Sequence, residues 1–162
     1  MVDGGGEGLL SGTPHLPASM GDPQAALAEL NDLERHVLLQ KGTEPSFSPG
    51  YYHFKKVASV AGTQFCCRLC GALLFAADTQ FDSGTGWPSF WDALPHAVNV
   101  NALSKECTCS TCGSHLGHRF KHRRTLQGAT LPKQQRFCIN AVCLRHLLQS
   151  ATDIAPSERD DH

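Results

Sequence analysis

The chain has 162 residues, enough for one domain with a buried core, and its basic and acidic residues nearly cancel to a formal net charge of −1. That balance excludes the basic footprint of a nucleic-acid binder, and no apolar run approaches the roughly 18 residues of a membrane span. Eight cysteines and nine histidines stand out, and several cysteines fall in pairs with two residues between them, which predicts a bound metal and a reducing compartment.

Residues 1–21 are rich in Gly, Ser and Pro and are predicted to form a flexible tail. They contain no Lys or Arg and no sustained apolar segment, so neither a secretory nor a transit signal is read there and a cytoplasmic location is expected. A main domain is predicted over residues 22–150. It opens with Asp22 as N-cap and Pro23 in the first helical position, followed by Leu27, Leu30, Leu33, Val37 and Leu38 at helical spacing up to Gly42. One amphipathic helix is expected, packed on the outside. After "GTEPSFSPG" the chain turns to short segments rich in Phe, Tyr, Val and Trp, broken by Gly, Pro, Asn and Asp, which predicts short strands. The fold class expected is therefore mainly β, with compact antiparallel sheets. Residues 121–135 read as a long polar loop, and residues 151–162 as a loose polar end.

Cys67-x-x-Cys70 and Cys109-x-x-Cys112 are each followed at once by glycine, Gly71 and Gly113. Two sulfurs separated by two residues converge on one ion, and the glycine permits the tight turn. One structural zinc held by Cys67, Cys70, Cys109 and Cys112 is predicted, bracing the sheets. Cys66 and Cys107 are neighbouring substitutes for these ligands, and an iron site of rubredoxin type uses similar donors.

Of the remaining cysteines, Cys138 in "RFCIN" is the one that other motifs serve: "FDSGTGWPSF" from Phe81 and "HLGHRF" from His115. Together with "GTEPSFSPG", "CRLCGALLF" and "CSTCGSHLGHRF", these motifs resemble, over roughly residues 40–148, the B-type methionine sulfoxide reductases, which reduce the R epimer of methionine sulfoxide. Such a reaction needs a thiolate, an acid and a pocket for the methyl group. Cys138 suits the nucleophile, with its pKa expected to be lowered by neighbouring donors, and Arg136, two residues earlier in a strand, shares its face. Trp87 and Phe120 suit apolar walls around the methyl group. The resemblance implies that His115 and His118 orient and protonate the sulfoxide, that Asn140 hydrogen-bonds in the same pocket, and that Cys138 ends as a sulfenic acid.

The expected partners are methionine-R-sulfoxide, free or in proteins, and thioredoxin or another thiol reductant, with the chain acting as a monomer. Thr85 stands where many members carry a resolving cysteine, leaving Cys66, Cys107, Cys143 or an external thiol to complete turnover. Cys143, five residues along a strand from Cys138, is expected on the opposite face and out of bridging reach. His122 replaces a common aspartate, and Phe137 a common tyrosine. The rival readings are a zinc-knuckle protein-binding module with Cys138 merely buried, and a thiol peroxidase or redox sensor, which leaves Trp87 no task.

Overall fold

The computed structural model describes residues 22–148, so the expected tails over 1–21 and 151–162 lie outside the described residues. The predicted N-terminal helix is two helices, α1 (Pro23–Glu29) and α2 (Asp32–Leu38). Asp22 caps the first as expected, accepting from the Gln24 N–H at 3.1 Å. The break comes at Asn31, whose side chain accepts from the Glu34 N–H at 2.8 Å while its own N–H donates to the Glu34 carboxylate at 2.9 Å. This reciprocal capping box starts a new helix inside a continuous leucine periodicity. Glu34 then turns inward, where its carboxylate meets Arg68 at 3.0 Å and Arg145 at 3.1 Å.

A third helix, α3 (Pro49–Ala58), occupies a stretch expected to be strand. Ser48 accepts from the Tyr51 N–H at 3.1 Å and Pro49 opens the first turn, a start signal that outweighs the β preference of Tyr and Phe. Tyr51, Phe54 and Ala58 are its buried residues.

The rest is antiparallel sheet, as predicted: β1 (Gln64–Cys67), β2 (Leu73–Ala76), β3 (Ser89–Phe90), β4 (Val98–Val100), β5 (Glu106–Cys109), β6 (His115–Lys121), β7 (Gln135–Ile139) and β8 (Leu144–Leu147). One sheet has the order β2-β1-β8 and the other β3-β7-β6-β5-β4. Apolar residues from both fill the core with α3: Phe75 stacks on Phe90 at 4.2 Å between ring centroids, and Phe54 lies 5.0 Å from Phe65 and 5.6 Å from Phe90. Offset stacks and edge contacts of this kind add to what burial alone contributes.

The polar loop over 121–135 is folded. Arg124 bridges to Thr130, Leu131 is buried, and the Leu126 N–H donates to the Asp82 carbonyl at 2.8 Å, tying this loop to the Gly-rich segment before Trp87. Cys143 lies in a 3₁₀ turn, Ala141–Cys143, and not in a strand, so alternation along a strand does not set its direction. Its buried thiol donates to the His115 carbonyl at 3.2 Å.

Candidate active site and metal centre

The two cysteine knuckles share one backbone pattern. The N–H of Gly71 bonds to the Cys67 carbonyl at 2.9 Å and that of Gly113 to the Cys109 carbonyl at 2.8 Å, with both glycines at positive φ, 78° and 80°. The four sulfurs all lie within 4.8 Å of one another, with Cys67 to Cys112 at 3.7 Å and Cys70 to Cys109 at 3.6 Å. A zinc–sulfur bond of about 2.3 Å in a tetrahedron puts sulfurs about 3.8 Å apart, so the donors fit a structural zinc. Ser114 adds a hydroxyl 3.3 Å from the Cys112 sulfur and 3.4 Å from that of Cys67. Hydrogen bonding to its neighbours and burial push the Cys67 thiol up, while hydrogen bonds from Cys109 and Cys67 push Cys112 down; a divalent ion would let all four ionise. Cys66 and Cys107 point elsewhere, toward the carbonyls of Arg145 and Lys105, and stand outside the cluster of four sulfurs. Because Cys67 ends β1 and Cys109 ends β5, a zinc held by these residues would join the two sheets.

The pocket forms where β6 and β7 pair. His118 lies opposite Cys138 and Phe120 opposite Arg136. Side chains alternate along strands, so these four share a face, while Phe137 and Ile139 point into the core. Gly117 brings the two backbones together, since a methyl there would run into the Cys138 carbonyl. The resulting cavity of about 240 Å³ is lined by Thr43, Thr85, Trp87, Gly117, His118, Phe120, Arg136, Cys138 and Asn140. Phe120 is 47% exposed and carries the Arg136 guanidinium 4.8 Å above its ring, so it is an outer wall and not core.

Six of the seven predicted pocket residues meet here. His115 does not line the cavity: it is buried behind, with its ring 5.6 Å from that of His118. Its Nδ1 lies 2.8 Å from the Glu106 carboxylate, and its Nε2 is buried without a partner among the described residues. The His115 hydrogen bond holds the Glu106 carboxyl below its usual range against some burial, and Lys41 adds to this. An ionised Glu106 only accepts, so Nδ1 carries the proton. Glu106 thus supplies the acidic support that His122 does not, for His122 packs 5.3 Å from the Phe81 ring.

Asn140 is more constrained than expected. Its Oδ1 accepts from the Glu44 N–H and its Nδ2 donates to the Leu116 carbonyl, both at 3.0 Å. Glu44, 1% exposed, is the hub missed in the sequence. Its carbonyl accepts from the Trp87 indole N–H at 3.0 Å, and its carboxylate accepts the Ala141 and Val142 N–H groups just past Asn140. One residue thereby fixes the aromatic wall, the amide and the turn after the thiol. Only its place in "GTEPSFSPG", four positions before a helix cap, hinted at burial.

Cys138 departs from expectation in its titration. Burial pushes its thiol up; Arg136 opposes this by charge and hydrogen bond, and Glu44 adds to the rise. The pocket as it stands favours the neutral thiol, with Arg136 as the counterweight. Arg136→Met should therefore push the thiol pKa higher still. At pH 7.5, below that pKa, the thiolate fraction and with it the iodoacetamide alkylation rate should fall roughly tenfold against wild type, and the rate curve should move to higher pH.

Two sheets joined by a four-thiolate metal site, with one thiol in a small aromatic and imidazole-bearing pocket, define a thiol-based redox protein. The chain belongs to the SelR domain family, whose pattern matches residues 30–147. It is 43% identical over 116 residues to "Peptide methionine sulfoxide reductase MsrB" of Methanosarcina mazei, covering 67% of this chain and 75% of that protein. It is 36% identical over 141 residues to "Peptide methionine sulfoxide reductase B2, chloroplastic" of Arabidopsis thaliana, covering 84% and 65%. A Xylella fastidiosa relative, also named MsrB, is 35% identical over 135 residues, covering 79% and 80%.

Proposed function

We propose that this chain reduces the R epimer of methionine sulfoxide to methionine, with Cys138 as nucleophile. The observation that carries this reading is the shared face of β6 and β7, which sets Cys138 directly opposite His118 in a cavity whose other walls are Trp87 and Phe120. The zinc, when bound, supplies a clamp between sheets and no chemistry at the pocket.

The methyl and methylene groups of the substrate fit the aromatic walls, and the polar S–O turns toward His118 and Arg136, two hydrogen-bond donors of the lining. As the S–O bond breaks, an imidazole donor neutralises charge developing on oxygen. Oxygen passes to Cys138: the methionine sulfur gains two electrons, the cysteine sulfur loses two, and the thiol proton is retained on the sulfenic acid. One external thiol then attacks the sulfenic sulfur, releasing water and leaving a mixed disulfide; a second thiol frees Cys138 and departs as a disulfide. Among the described residues Cys138 is the only thiol lining the cavity, and Thr85 there hydrogen-bonds Ser83 at 2.8 Å, which supports reduction by an outside thiol such as thioredoxin. Eight cysteines, four of them suited to zinc and none in a disulfide among the described residues, suit a reducing compartment such as the cytoplasm, where the chain would act as a monomer.

Incubation of the protein with dithiothreitol and peptides carrying each separated sulfoxide epimer should yield methionine from the R form alone. Equal turnover of both epimers, or of the S form only, would sink the assignment.

A further inference from the structure

We propose that Phe47 and Tyr52 form a subsite for an apolar side chain adjacent to the oxidised methionine in an extended polypeptide, an inference that rests on the reading of the Cys138 pocket above. Phe47 has φ +54°, a left-handed conformation that bulky residues seldom adopt, yet its ring is 51% exposed and gains little burial in return. Its place is held by other means: the Phe47 N–H donates to the Gly86 carbonyl at 2.9 Å, and the ring lies on Gly86, where a Cβ would meet it at 2.5 Å. Gly86 sits between Thr85 and Trp87, both of which line the cavity, so the ring rests on the segment that forms one wall of the pocket. Tyr52, 56% exposed, lies 6.4 Å from Phe47 between centroids and extends the same apolar surface along α3. An extended chain advances about 3.5 Å per residue, so the ridge would take a side chain close in sequence to the buried sulfoxide. Strained backbone that exposes an aromatic ring beside a pocket is the arrangement of a ligand clamp.

The test compares two R-sulfoxide peptides that differ only in the residues flanking the methionine, Leu and Phe in one and Ser in the other, at saturating dithiothreitol. The wild-type protein should show a kcat/KM roughly tenfold higher for the apolar peptide, carried by KM, as burial of one large side chain implies. Phe47→Gly removes the ring and suits the left-handed backbone; it should bring the ratio close to one, and Tyr52→Ala should lower it in part. A wild-type ratio near one overturns the subsite, as does a ratio that survives both substitutions. A change confined to the KM of a protein reductant would assign the ridge to that partner and overturn it too. Failure of the wild type to reduce either peptide would instead refute the reductase reading itself.

Discussion

Cys138→Ser is expected to abolish sulfoxide reduction, with kcat/KM falling at least about a thousandfold. A serine hydroxyl is nearly the size of the thiol but does not ionise near neutrality and cannot carry oxygen through a sulfenic acid. The substitution should cost little stability, because position 138 faces a cavity and the core contacts of β7 come from Phe137 and Ile139 on its other face. A melting temperature close to wild type would separate lost chemistry from lost fold. Mass spectrometry supplies an independent readout: after one turnover without reductant, a sulfenic-acid trap should label Cys138 and no other cysteine. Turnover surviving in Cys138→Ser, or label on Cys107 or Cys143, would move the nucleophile elsewhere. Burial of those two thiols argues against that, since it pushes Cys107 up to about 12 and Cys143 well above its usual range.

What was legible in the sequence is what local spacing controls. The paired cysteines with their glycines converge as predicted, because a two-residue spacer and a left-handed glycine are local constraints that tertiary structure does not rewrite. The common face of Arg136 and Cys138 follows from the period of a strand. The helix boundaries did not follow from periodicity: the leucine spacing ran through Asn31, and the aromatic residues of α3 concealed a Ser-Pro start, although both start signals stand in the sequence. Glu44 and Glu106 were out of reach for another reason. Glu44 lies 96 residues from Asn140 along the chain, and Glu106 serves His115 across a register that shifts between Cys107 and Thr108. The upward shift of the Cys138 thiol has the same cause. Donor residues were visible, whereas the desolvation that outweighs them is a property of the assembled pocket.

Removal of zinc should unfold the protein, and this is the larger of the two effects because it reaches every element. Held by these cysteines, the ion would join the end of β1 in the three-stranded sheet to the end of β5 in the five-stranded sheet. Structural zinc contributes on the order of 10 kcal/mol in small domains, comparable with the roughly 5–15 kcal/mol of net stability that a domain has. Cys109→Ser deletes one ligand and leaves three sulfurs crowded together with no cation to neutralise them, so the variant should bind no zinc and show no cooperative unfolding transition by circular dichroism. Cys107→Ser is the matched control: it alters a buried thiol two residues away on the same strand that takes no part in the cluster. It should retain one zinc per chain by elemental analysis, with a modest loss of stability of about 1 kcal/mol. A folded, metal-free Cys109→Ser protein would show that the aromatic core holds the two sheets together unaided, and metal loss in Cys107→Ser would make Cys107 a ligand. The expected pair of results requires both that the four sulfurs bind the ion and that the ion, more than the contacts between sheets, keeps the β6–β7 face assembled around Cys138.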